Sequence, residues 1–244
     1  MRISRLYVDQ PLAIQSTIQL NDDSAHYLRS VLRIKQNHQV ILFNGIGGEY
    51  QAEITEITRK KVLVTLLSFN DRSVESNLNI TLGIGISRGE RMEFSIQKSV
   101  ELGVNQICPL LTEHCVVQLK EDKKQKKVEH WQRISQNAAE QSGRTVNPQI
   151  ENIERFESWV NQQSGIKVFL DPFADISLSA IQNKEQQVTL LAGPEGGFSE
   201  QEREIAISAG FIPIRLGPRI LRTETAALAA LTAVQILWGD LNVE

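Results

Sequence analysis

Cysteine is nearly missing from this 244-residue chain, which holds only Cys108 and Cys115. The pair fits no zinc spacing and gives no disulfide framework, so both read as reduced packing residues. His114 beside Cys115 makes a metal pair conceivable, but third and fourth ligands are not visible and no metal is expected. Long apolar runs are missing too. No stretch approaches the roughly 18 uncharged apolar residues of a membrane span. The opening MRISRLYVDQ lacks the apolar centre of a signal peptide, so a cytoplasmic location is the expectation. Nor is positive charge in excess: the net charge is −3, which argues against blanket electrostatic binding of nucleic acid.

What is present is an ordinary soluble composition, 41% apolar and 23% charged, in a length suited to one large or two smaller domains. Charge is unevenly spread. Residues 1–70 hold eight Lys and Arg against six Asp and Glu, and the remainder eighteen against twenty-three. Contact with nucleic acid therefore calls for a local basic patch.

Residues 1–70 read as a small β-rich unit. RISRLYV alternates like a strand, and DDSAHYLRSVLRI puts Leu28, Val31 and Leu32 on one helical face behind an Asn21-Asp22 cap. QVILFNG, GEYQAEITEI and KKVLVTLLSF read as successive antiparallel strands, turning at Asn44-Gly45 and Arg59-Lys60. The polar NDRSVESN reads as a linker, placing domains at 1–70 and 78–244 around a linker at 71–77. From residue 78 strands alternate with helices. NITLGIGI, QICPLL, IKVFLD, QVTLLAG and IPIRLG are the strands, and helices are expected over 90–102, 120–142, 153–163, 199–209 and 222–238. This pattern predicts an α/β domain with a mostly parallel sheet.

Three segments carry chemistry. GIGISRGE, at 83–90, is one residue too long for a dinucleotide fingerprint, and Gly83 and Gly85 fall inside the strand pattern. With Glu113 after the next strand as a ribose partner, a nicotinamide-dependent oxidoreductase is one reading. The same stretch continues into an amphipathic helix with Met92, Ile96 and Val100 on its core face. Arg88, Arg91 and Lys98 make it either a solvated surface with a Lys98–Glu101 pair or a basic lip at the sheet edge. TLLAGPEGGFSEQE and LGPRILRTETAALAAL each follow a strand and precede a helix, so both lie at the carboxyl edge where open α/β sheets bind ligands. Neither has the Gly-Lys-Ser/Thr ending of a phosphate loop. Their glycines let backbone approach a flat, mostly uncharged ligand such as adenine, with Leu216, Ile220 and Leu221 to wall the ring. Thr223-Glu224-Thr225 can serve as a plain helix cap, which leaves Arg219, Arg222 and the surplus glycines unexplained.

GPEGGFSEQE followed by LGPRILRTETAALAAL resembles the SPOUT-class RNA methyltransferases, and within them the family that methylates N3 of a uridine in bacterial 16S ribosomal RNA. SRGERMEFSIQKSVELGV, AEQSGR at 139–144 and HYLRSVLR at 26–33 match further blocks of that family, in family order over nearly the whole chain. The resemblance implies a small N-terminal PUA-like β-barrel and a C-terminal α/β SPOUT domain with a deep trefoil knot. It further implies S-adenosylmethionine as cofactor, 16S rRNA of the small ribosomal subunit as partner, and a homodimer. It assigns Gly193, Glu195, Gly196 and Gly197 to a first cofactor loop. A second holds Leu216, Gly217, Ile220, Leu221, Arg222, Thr223, Thr225 and Ala226, with Leu170 lining the same pocket. Glu224 and Glu195 stand as alternative bases for the N3 proton, and Arg222 as a donor to the developing oxyanions. Arg2, Arg5, His26, Arg29 and Arg33, with Arg88, Arg91, Lys98 and Arg144, make an RNA track. A non-catalytic RNA-binding module built on the basic small domain is the third reading.

Overall fold

The apolar–polar alternation before residue 70 forms a five-stranded sheet: β1 (Ser4–Tyr7), β2 (Thr17–Gln19), β3 (Gln39–Phe43), β4 (Glu49–Ile57) and β5 (Val62–Asn70), in the order β1-β3-β4-β5-β2. β3, β4 and β5 pair antiparallel as the turn residues require, whereas β1 lies parallel to β3, with Leu6 opposite Leu42. One face of the alternation, including Leu42, Ile54, Val64 and Leu66, is sealed from solvent and packs with Leu28. The computed structural model describes residues 3–116 and 120–242. The chain divides into two units, Met1–Glu75 with Ala139–Asn147, and Ser76–Ala138 with Pro148–Glu244.

Helix α1 (Asp22–His26) begins as expected, the Asn21 side chain accepting the Ser24 N–H at 2.8 Å. It then widens into a π turn over Tyr27–Val31. Each wider turn advances side chains past the 3.6-residue face. Leu28 stays buried, but Val31 and Leu32 are 62% and 37% exposed, so the face expected of three leucine-like residues holds one.

In the second unit every strand pairing is parallel. The order is β12 (Ile212–Ile214), β10 (Ile166–Leu170), β11 (Gln187–Ala192), β6 (Asn79–Gly85), β7 (Gln106–Leu111) and β8 (Gln149–Ile150), with β9 (Glu154–Arg155) also on β7. β6 and β11 are buried almost end to end, as central parallel strands covered on both faces must be. Helices α2 (Gly89–Glu101), α3 (Glu121–Ser142), α5 (Glu200–Ser208) and α6 (Thr223–Trp238) fall close to expectation. The helix expected over 153–163 contracts to α4 (Phe156–Val160), because Glu154 and Arg155 pair instead with Leu110 and Leu111 at the end of β7. α4 and α5 cover one sheet face through Phe156, Trp159 and Ala206, joined by Phe211 from the turn after α5. Cys108 sits in that cluster, where burial first and then Glu154 and Glu151 push its thiol well up, as suits an inert packing residue. Among the described residues no helix is long and apolar enough to cross a membrane.

A candidate cofactor site at the carboxyl edge of the parallel sheet

A parallel sheet brings all its strand ends to one edge, and in this sheet β12, β10 and β11 are neighbours there. The chain leaving each of them, together with the first turn of α6, walls a cavity of about 470 Å³. That lies within the ~300–1,000 Å³ of small-molecule sites.

The glycine loop owes its composition to close packing. A Cβ on Gly196 would lie 2.7 Å from the Cβ of His114, and His114 holds the Gly196 carbonyl oxygen 3.1 Å from its Nδ1. Gly197 has φ of 69°, a left-handed value that closes the turn through its N–H to the Pro194 carbonyl at 2.9 Å. Ser199 and Glu202 then start α5 with a reciprocal capping box. Thr223, by contrast, is not a cap. It is the first helical residue of α6 and is buried, and Arg222 at the N-cap position makes no side-chain capping bond.

Three carboxylates line the cavity, those of Asp171, Glu195 and Glu224. Glu195 Oε1 accepts the Arg88 N–H at 3.1 Å and Arg91 Nη1 at 3.5 Å. Burial raises this carboxyl. The N–H groups of Arg88 and of Glu195 itself, the Arg91 charge and the Ser87 hydroxyl outweigh it and hold the group below the usual range. Glu195 Oε2 and Glu224 Oε2 are both buried without a hydrogen-bond partner among the described residues. Both side chains nevertheless belong to the cavity wall.

Leu170, Gly193, Glu195, Gly196, Gly197, Leu216, Ile220, Leu221, Arg222, Thr223, Glu224 and Ala226 all line the cavity, and so does Arg91. Gly217 and Thr225 lie outside the lining, both exposed. Arg88 sits at the start of α2, and Lys98 pairs with Glu101 at 2.7 Å on its surface. Sequence reading missed Asp171, Phe173 and Arg203, which line the cavity as well. The Asp-Pro pair directly after the IKVFL strand signalled a turn at the sheet edge, but nothing local signalled the Phe173–Arg203 pairing.

In the first unit the arginines divide. Arg5 pairs with Glu49 and donates to the Arg144 carbonyl at 2.9 Å. Arg144 is 3% exposed and donates through Nε to Glu75 at 2.9 Å. Each was expected to face RNA, but a carboxylate, buried Glu49 for Arg5 and half-buried Glu75 for Arg144, turns each guanidinium inward, where an unpaired charge would be prohibitive. His26 and Arg33 are exposed, and Arg29 donates to the carbonyls of Thr58 and Arg59 at 2.8 and 2.7 Å. Arg2 lies outside the described residues.

Gly83 and Gly85 sit in β6, not in a turn that could receive a dinucleotide. A Cβ at Gly83 would meet the Trp159 ring at 2.4 Å, and one at Gly85 would meet Pro194 at 2.5 Å. Packing accounts for both, and the nicotinamide reading has no support.

A helix-covered parallel sheet with a ligand cavity at its carboxyl edge, and a separate small β unit, is the build of a two-part cofactor-dependent enzyme. Residues 74–235 match the family model of an RNA methyltransferase domain, and residues 20–67 that of an RNA methyltransferase PUA domain. The ribosomal RNA small subunit methyltransferase E of Buchnera aphidicola subsp. Schizaphis graminum is 43% identical over 243 residues, 99% of each chain. The Neisseria gonorrhoeae protein of the same name, bound to S-adenosyl methionine, superposes with a TM-score of 0.93 at 37% identity, over 99% of this chain and 100% of that one. A Legionella pneumophila protein in complex with the cofactor SAM gives 0.96 at 37% identity, over 98% and 100%. The chain belongs to the ribosomal RNA small subunit methyltransferase E family.

Proposed function

We propose that this protein methylates N3 of a uridine in 16S rRNA of the small ribosomal subunit, using S-adenosylmethionine. The cavity carries the reading: the chain leaving three neighbouring parallel strands encloses it, and Glu195 and Glu224 belong to its wall. The residues fit the cofactor. The glycine loop brings bare backbone to the wall, and Leu216, Ile220 and Leu221 supply the apolar side for a flat ring. When bound, S-adenosylmethionine supplies a methyl group already activated on a sulfonium.

The protein then has to orient the uracil ring and remove a proton. Glu224, at the start of α6 in the cavity wall, takes the N3 proton. Glu195 is the weaker candidate base, because its carboxyl is held below the usual range by the groups it accepts from. Its hydrogen bond to the Arg88 backbone gives it a positioning role between the chain leaving β6 and the glycine loop. Arg222 and Arg91 offer positive charge to the uracil oxygens as the ring loses its proton. N3 lies on the Watson–Crick edge, so the target base is unpaired or flipped when it enters. His26, Arg29 and Arg33 on the first unit, and Arg88, Arg91 and Lys98 on the second, are the RNA contacts of this reading, and Arg5 and Arg144 shape the interior of the first unit. The reading includes a cytoplasmic location, the deep trefoil knot, and a homodimer consistent with the exposed Ile236 and Leu237 of α6.

The test is to incubate the protein with methyl-labelled S-adenosylmethionine and small subunits from cells lacking it, then identify the labelled nucleoside. Label in 3-methyluridine is expected. Label elsewhere overturns the N3 assignment, and no label on competent subunits overturns the reading. Glu224→Gln should lower turnover about 10²- to 10⁴-fold while cofactor affinity stays within about twofold. Near-normal turnover would remove Glu224 as the base.

A further inference from the structure

The most exposed large apolar side chains among the described residues are Ile46, Ile220 and Phe173, at 87%, 84% and 72%. Two of these three line the cofactor cavity. Ile220 belongs to the second cofactor loop, but Phe173 comes from the chain leaving β10 and no role above uses it. Its surroundings are elaborately fixed. Asp171, 7% exposed, accepts Arg203 Nη2 at 2.6 Å on one oxygen and the Phe173 N–H at 2.9 Å on the other. The Asp171 N–H is in turn bonded to the Ile214 carbonyl at the end of β12, at 2.9 Å. The Arg203 guanidinium lies over the Phe173 ring, 5.3 Å from its centroid.

A buried carboxylate that accepts from both a half-exposed guanidinium and the loop backbone fixes a loop whose aromatic ring nevertheless stands in water. Burying that ring in the protein's own core would have been the default. The arrangement makes sense when a flat partner covers the ring. A guanidinium at an aromatic ring that is otherwise solvated makes a platform for a nucleobase. We propose that Phe173, held by Asp171 and Arg203, stacks on a nucleobase in this cavity, either the adenine of the cofactor or the target base of the RNA. The inference rests on the methyltransferase reading and adds a recognition residue to it.

Calorimetric titration of wild type, Phe173→Ala, Phe173→Leu and Phe173→Trp with S-adenosylmethionine and with adenosine forms the first arm. The second measures binding of small-subunit RNA carrying either uridine or an abasic site at the mapped position, with S-adenosylhomocysteine present. Loss of a base stack corresponds to a roughly 5- to 150-fold weakening. The expected result is a loss of at least about fivefold in Phe173→Ala, a partial loss in Phe173→Leu and retention in Phe173→Trp. Seen for both adenosine ligands, it assigns the ring to the cofactor. Seen only as lost preference for uridine over the abasic site, it assigns the ring to the target base. Wild-type binding in both arms with an indifferent Phe173→Ala overturns the inference alone. Wild type that binds neither ligand nor RNA overturns the methyltransferase reading and this inference with it.

Discussion

Replacing Gly85 by alanine would test whether the glycine loop is set by the strand beneath it. Gly85 ends β6, and an added methyl would lie 2.5 Å from both the backbone nitrogen and Cδ of Pro194, and 3.1 Å from the Gly193 carbonyl carbon. Ordinary carbon contacts are near ~3.5–4.0 Å, so the loop must retreat by about 1 Å. Neither a backbone nitrogen nor a proline ring can rotate aside. Overpacking of this kind costs about 1–3 kcal/mol. Gly85 is not left-handed, so alanine recovers about 0.4–1 kcal/mol by restricting the unfolded chain. The net expectation is a loss of about 1–2 kcal/mol, or a Tm roughly 2–8 °C lower at this chain length. Because the displaced loop carries Glu195, S-adenosylmethionine affinity should fall as well. Gly83→Ala is the control: its methyl meets the Trp159 ring, away from the cavity lining, so it should destabilise without changing cofactor affinity. Denaturant unfolding and calorimetric titration of both variants give the answer. A Gly85→Ala protein within about 0.5 kcal/mol of wild type with unchanged affinity would refute the argument.

Glu195 predicts a pH signature. Its folded carboxyl titrates below the ordinary 4.5, so its contribution to stability is complete above that value and is lost as pH falls through the folded one. Unfolding free energies from about pH 6 down to about pH 3 should therefore decline less steeply in Glu195→Gln than in wild type; parallel curves would contradict the assignment. Arg144→Ala strands the Glu75 carboxylate and should cost about 3–5 kcal/mol by denaturation. Arg33→Glu, at an exposed position, should stay within about 0.5 kcal/mol while weakening RNA binding. If Arg144→Ala were as mild as Arg33→Glu, the interior role of Arg144 would be wrong.

The elements that were legible in sequence are those whose pattern is decided locally. β6 and β11 read as strands because a parallel strand covered on both faces is a run of apolar residues, and α5 because Ser199 and Glu202 form its capping box within three residues. The two glycine-bearing loops were legible as a site because the alternation sends both to one edge, whereas Leu170 and the individual loop positions came from the family resemblance. What stayed hidden depends on partners distant in the chain. The burial of Arg144 needs Glu75, and that of Arg5 needs Glu49; nothing in either arginine's neighbours reveals a carboxylate waiting for it. Phe173 was hidden for the same reason, since Arg203, which holds its loop, arrives from α5. The short β8 and β9 are too brief to impose a period, and the π turn at Tyr27–Val31 breaks the periodicity that predicted its face.

The pairing of β6 with β11 joins Asn79 to Gln187 and Ile84 to Ala192, a ladder closed across roughly a hundred residues. Such a ladder gains nothing from local structure and must wait for the intervening chain. On a translating ribosome, the centre of this sheet cannot form until β11 has been synthesised. The cavity, walled by the still later Leu216 and Glu224, comes last of all. The antiparallel β3–β4–β5 meander of the first unit closes over short turns and can assemble while the rest is still being made. Newly made chains should thus pass through a state with the β3–β4–β5 meander formed and no ability to hold cofactor, and cofactor binding reports completion of the second unit.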